Sequence, residues 1–215
     1  MGSVEDPHAD HPVLHFGPPP GDARIVAILL HGRGASAEDI LGLARQFTAR
    51  DIAYVAPQAA GSTWYPYSFL APLQQNEPWL GSALRVIASL LRDLGQHGVS
   101  SERIAIIGFS QGACLTLEFV ARHARRYAAA VAFTGGLIGP PETARNYAGG
   151  FEGTPIFIGS SDVDTHVPLA RVQESTAVLR LMGADVDERI YPRMGHTINA
   201  DELEAADALL APGRQ

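Results

Sequence analysis

Residues 103–117 read Arg103-Ile104-Ala105-Ile106-Ile107-Gly108-Phe109-Ser110-Gln111-Gly112-Ala113-Cys114-Leu115-Thr116-Leu117. The apolar run ending at Ile107 has the length of a strand and no polar alternation, as expected of a strand covered on both faces. A helical pattern runs from Gln111 to Ala124. Between them stands Gly108-Phe109-Ser110-Gln111-Gly112, a G-x-S-x-G pentapeptide in a strand, turn and helix setting. A serine that attacks a carbonyl has to stand clear of its sheet, so the chain must turn sharply there, and flanking glycines relieve the crowding.

Working outward, further short apolar runs occur at Val13–Phe16, Ile25–Leu30, Ile52–Ala56, Ala129–Phe133, Pro155–Ile158 and Val186–Tyr191. Helical spacing separates them. Ser36 caps a helix predicted to reach Ala49, Trp79–Leu94 carries a second, and Leu169–Met182 and Asn199–Leu210 carry two more. Alternating strands and helices predict an α/β fold with a mostly parallel central sheet, helices on both faces and a site beyond the carboxyl ends of the strands. The loops Ala59–Asn76, Thr134–Thr154 and Gly159–Pro168 would share one rim. With no repeat or linker in view, residues 13–215 are expected to form one domain behind a flexible segment, 1–12. His8, His11 and His15, in and just beyond that segment, are broken up by Pro7 and Pro12 and read as a mobile terminus rather than a metal site.

The composition excludes several functions. The chain has 215 residues and a net charge of −7, which disfavours a nucleic-acid face. All 16 basic residues are arginine, so Schiff-base lysine chemistry and a G-K-[ST] phosphate loop are absent. The single cysteine, Cys114, precludes an internal disulfide or a multi-cysteine metal site. No apolar run approaches a membrane span, and Met1–Asp10 lacks a signal-peptide core, which predicts a soluble, cytoplasmic protein. No cofactor or metal is expected.

A serine hydroxyl needs a base to take its proton, and the base needs a carboxylate to orient it. His196, in Arg193-Met194-Gly195-His196-Thr197 beyond the last strand, is the candidate base; His166 competes. Asp162 and Asp164 follow the Pro155–Ile158 strand, and spacing does not choose between them. The oxyanion formed on attack needs fixed N–H donors. One comes from Gln111 at the start of its helix; the other is expected from Arg33 in His31-Gly32-Arg33-Gly34, just after the Ile25–Leu30 strand.

Leu29-Leu30-His31-Gly32-x-Gly34, Gly108-Phe109-Ser110-Gln111-Gly112-Ala113, Asp164-x-x-Val167-Pro168 and Gly195-His196 together resemble the small α/β-hydrolases of the phospholipase/carboxylesterase group, which includes acyl-protein thioesterases. The resemblance spans roughly Val13 to Leu210. It implies the α/β-hydrolase fold as a minimal core without a cap domain, and it selects Asp164 as the acid. It also departs at one place: the thioesterases carry an apolar residue, usually leucine, where this chain has Arg33. That guanidinium is expected either to pair with an acidic part of a substrate or to point into solvent.

These observations point to a serine hydrolase cleaving small to medium carboxylic esters through an acyl-enzyme. The alternatives are acyl-protein thioesterase or lysophospholipase activity on the same triad, and a catalytically silent ligand-binding relative. Trp64, Tyr65, Phe69, Phe109 and Phe133 are the candidate lining of a substrate cleft. The aromatic loop carrying the first three could equally pack itself down or form a homodimer contact.

Overall fold

The apolar runs become strands because each has helices to cover it. A computed structural model describes residues 6–212. Its strands are β1 (Val13–Phe16), β2 (Ile25–Leu30), β3 (Ile52–Pro57), β4 (Ile104–Phe109), β5 (Ala129–Phe133), β6 (Pro155–Ser161) and β7 (Asp185–Tyr191). They form one sheet in the order β1-β3-β2-β4-β5-β6-β7. β1 lies antiparallel against β3, and every other neighbouring pair is parallel.

Among the described residues, five α-helices pack on this sheet: α1 (Ala37–Ala44), α2 (Trp79–Gln96), α3 (Gln111–Arg122), α4 (Leu169–Leu181) and α5 (Ala200–Leu210). All six residues of β2 are buried, and the two cores explain why. Val26, Ile28 and Leu30 face α2, α3 and α4, whereas Ile25, Ala27 and Leu29 face α1 and α5. A strand with two apolar neighbours cannot alternate in polarity.

The chain moves from β2 to β3 on one side and returns past β2 to β4 on the other. The loops leaving β2 and β4 therefore diverge, opening a crevice at the carboxyl end of the sheet. Arg33 and Ser110 lie on those two loops. Among the described residues, no helix is long and apolar enough to cross a membrane.

Two expectations need correction. The helix predicted to run from Ser36 to Ala49 stops at Ala44, although its Ser36 and Asp39 do form a reciprocal capping box. Beyond it, the N–H groups of Thr48 and Ala49 donate to the Asp207 carboxylate of α5 at 2.9 Å each. A tertiary acceptor thus replaces the next helical turn. In the segment expected to be flexible over 1–12, Asp10, His11 and Pro12 are exposed, but His8 is packed: it is 2% exposed, its ring against Trp64 and Trp79. Its main-chain N–H donates to Ser82 Oγ at 2.9 Å. Residues 1–5 and 213–215 lie outside the described residues.

At the start of α5, Glu202 is fully buried. Its Oε2 accepts the Asn199 N–H at 2.8 Å and its Oε1 has no partner among the described residues. Burial raises this carboxyl to about 7. The folded state therefore keeps a proton that the unfolded chain releases, and stability falls as pH rises from the ordinary glutamate range to about 7, by a few kcal/mol at most. Glu202→Gln is expected to remove this component. Urea unfolding at pH 5 and pH 8 should show a smaller loss of stability with rising pH in the variant than in the parent.

Candidate active site

β4 runs straight into Ser110, whose N–H still donates to Phe133 O at 2.9 Å as the last rung of the β4–β5 ladder. The backbone then reverses at Ser110, with φ 54 and ψ −115. Such a conformation costs a non-glycine residue about 1–3 kcal/mol. Two close approaches make it attainable. A Cβ on Gly108 would stand 2.2 Å from the Gly112 carbonyl oxygen, and one on Gly112 would stand 2.1 Å from that of Leu30. Glycine alone lets α3 begin this near to β2. Residues 111–121 of α3 are all buried, so the turn is held by the packing of the helix it starts.

The Ser110 hydroxyl donates to His196 Nε2 at 2.8 Å, and His196 Nδ1–H donates to Asp164 Oδ2 at 2.7 Å. Residues 86 positions apart in sequence thus meet at the crevice. Asp164 Oδ1 accepts the N–H groups of His166 at 2.7 Å and Val167 at 2.9 Å. Burial works to raise the Asp164 carboxyl, but the bonds from His196, Val167 and His166 outweigh it and hold the group below the usual range. It stays ionised and fixes the imidazole with its proton on Nδ1, leaving Nε2 free to accept.

Asp162, the other candidate acid, points elsewhere: its Oδ1 accepts the Arg193 N–H at 2.7 Å and ties the loop after β6 to the loop after β7. His166 contributes a ring 4.8 Å from that of His196.

Ser110 opens into a cleft of about 670 Å³ whose walls include Gly32, Arg33, Tyr65, Phe69, Phe109 and Gln111. Among the described residues no hydrogen bond takes up the main-chain N–H of Arg33 or Gln111. Nor is any group of three or more His, Cys, Asp or Glu side chains among them arranged to hold a metal. Cys114, one turn past Ser110, is buried, and burial pushes its thiol up to about 12, far from a reactive thiolate.

The sequence pattern of the Phospholipase/Carboxylesterase family matches residues 18–211. The chain belongs to the phospholipase/carboxylesterase family. A crystal structure of phospholipase/carboxylesterase from Dyadobacter fermentans superposes with a TM-score of 0.90 at 43% identity, covering 94% of this chain and 96% of that one. A probable carboxylesterase SOBER1-like protein of Arabidopsis thaliana is 24% identical over 205 residues, 87% of this chain and 78% of its own length. Acyl-protein thioesterase 1 of Gibberella zeae is 27% identical over 149 residues, 64% of this chain and 60% of that protein. The sheet order and parallel pairing are those of an α/β-hydrolase, as the structural relatives also are.

Within this family member the aromatic loop divides in two. Tyr65, Phe69 and Phe109 stand around the cleft. Trp64 and Phe133 do not. The Trp64 indole needs an acceptor for its N–H and finds one in the interior, His31 O at 2.9 Å. Phe133 is fully buried on the α1 and α5 side of the sheet, against Phe157.

The buried anchors of this loop were not visible in the sequence. His8 Nδ1 accepts the Ala60 N–H and His31 Nε2 accepts the Ala59 N–H, at 3.0 and 3.1 Å. The Gln111 side chain accepts the Trp64 N–H and donates to Tyr65 O, both at 2.8 Å. No local spacing signals such bonds, because the partners are 28 to 52 residues apart.

Gly112→Ala is expected to lower stability by about 3 kcal/mol or more, since its methyl would collide with main chain rather than a movable side chain. Urea denaturation of Gly112→Ala beside Gly42→Ala, where a Cβ meets nothing within 4 Å, separates collision from loss of glycine.

Proposed function

We propose that this protein is a serine carboxylesterase that cleaves small to medium carboxylic esters through an acyl-enzyme. One observation carries the reading: the unbroken hydrogen-bond relay from Asp164 through His196 to Ser110 at the wall of an aromatic-lined cleft. Ser110 Oγ attacks the ester carbonyl while His196 Nε2 takes its proton. The negative charge that develops on the carbonyl oxygen is met by the N–H groups of Arg33 and Gln111, the latter at the positive end of α3. Collapse of this intermediate expels the alcohol, which leaves with the proton from His196. Water then repeats the sequence on the acyl-enzyme and releases the acid. Asp164 stabilises the imidazolium in both halves.

Phe69 and Phe109 supply apolar surface for the organic parts of the ester, backed by the buried Tyr65. The cleft volume lies in the range of sites that hold small organic ligands. The same relay would also open a thioester, and relatives of this chain include a protein named as an acyl-protein thioesterase.

Ser110→Ala and His196→Ala are each expected to lower kcat for p-nitrophenyl butyrate by about a thousandfold or more with the thermal melt preserved. Asp164→Asn should lose most of its kcat as well, while Asp162→Asn should stay within about tenfold of the parent, since only Asp164 touches the imidazole. Turnover surviving in Ser110→Ala would refute the assignment. Mass spectrometry after fluorophosphonate treatment should find the adduct on Ser110, and an unlabelled Ser110 would favour a silent ligand-binding protein. A palmitoyl thioester hydrolysed faster than the butyrate ester would favour the thioesterase reading.

A further inference from the structure

The two residues assigned as oxyanion donors share a second feature, found in their side chains. Arg33 Nη1–H donates to Thr63 Oγ1 at 3.0 Å and Pro66 O at 2.9 Å, and Arg33 Nη2–H donates to Tyr67 O at 2.7 Å. The guanidinium also lies over the Tyr65 ring, 5.9 Å from its centre. From the other side, Gln111 grips Trp64 and Tyr65 by the bonds described above. Thr63 joins the two grips: its hydroxyl accepts from Arg33 and lies within donating distance of Tyr65 O at 3.1 Å and Gln111 Oε1 at 3.3 Å.

Arg33 needs such a grip. It stands between Gly32 and Gly34, and Gly34 adopts φ 78, so its backbone has little stiffness of its own. Among the described residues one main-chain bond pins the turn to the opposite loop, Gly34 N–H to Ser62 O at 2.7 Å. The Gln111 N–H, by contrast, is fixed by the helix it begins. An oxyanion site requires both donors at a set separation before the charge forms, and a displacement of about 1 Å can cost up to a hundredfold in rate.

We propose that Arg33 is a positioning residue: its guanidinium, through Thr63 and the 63–67 segment, splints its own main-chain N–H to that of Gln111 and so sets the width of the oxyanion site. Arg33 is exposed, as one of the two roles expected from the sequence would have it, yet its guanidinium is tied back to three carbonyl and hydroxyl oxygens of the protein. This inference rests on the esterase reading above.

The test compares Arg33→Met, Arg33→Lys and Thr63→Val with the parent enzyme on p-nitrophenyl butyrate and on a p-nitrophenyl hemisuccinate ester. Tight binding of a trifluoromethyl ketone, whose adduct carries an oxyanion, is measured alongside. Arg33→Met should lower kcat about ten- to a hundredfold on both esters, with KM within about twofold, an unchanged thermal melt and a matching loss of ketone affinity. Arg33→Lys should recover part of kcat, because an ammonium can still reach one or two of the oxygens. Thr63→Val should lose less, and combining it with Arg33→Met should add little, as expected of one shared splint.

A parent-like kcat in Arg33→Met would overturn the inference. So would a loss confined to the KM of the anionic ester, which marks a substrate ligand, or a loss that tracks the melting temperature alone, which marks a structural role. Parent turnover and Ser110 labelling are measured first; their absence sinks the esterase reading and this inference with it, whereas their presence beside an unaffected Arg33→Met sinks only the splint.

Discussion

The arrangement depends on a steric bargain at Ser110. Its left-handed backbone is unfavourable on its own, yet the residue is trapped between a sheet rung to Phe133 on one side and a helix buried from Gln111 to Ala121 on the other. Glycine at 108 and 112 removes the atoms that would prevent this approach. The hydroxyl is thereby presented at the one edge of the sheet where the loops after β2 and β4 part company. The His196 and Asp164 loops descend on that edge from β7 and β6, and Asp162 links those two loops to each other.

Around this fixed point the cleft wall is built from irregular chain, which has no ladder to satisfy its peptide groups. Side chains take over that task. Imidazole nitrogens of His8 and His31 receive two successive amides, and Gln111 receives a third. Each anchor is buried, so each bond is shielded from competing water and its loss would leave an amide stranded. A segment without regular structure can in this way be as well defined as a strand.

The features legible in the sequence were those set by local chemistry. The six residues of β2 announced a strand covered on both faces, and the glycines around Ser110 announced the turn. The family pattern singled out Asp164, which touches His196, where the spacing of Asp162 and Asp164 could not. What stayed hidden depended on partners far along the chain. α1 stops short because Asp207, more than 150 residues away, captures Thr48 and Ala49. Trp64 and Phe133 read as cleft aromatics from their position beside the site, but a ring's direction is decided by which face of the sheet or which buried carbonyl claims it. His8 looked like part of a loose terminus because nothing nearby in sequence reveals the pocket between Trp64 and Trp79.

Those two imidazole anchors have a chemical consequence of their own. Each ring offers one lone pair to a peptide amide and one N–H to a carbonyl, Trp64 O for His8 and Gly32 O for His31. A second proton would set N–H against N–H inside a dry interior, and burial accordingly keeps both rings below the ordinary histidine value. The unfolded chain has no such objection, so mild acid rewards opening of the very segment that walls the cleft. Glu202 leans the opposite way, clinging to its hydrogen where a free carboxyl would give it up. Acidity therefore acts on the scaffold from two opposed directions, through groups that never meet the reacting bond.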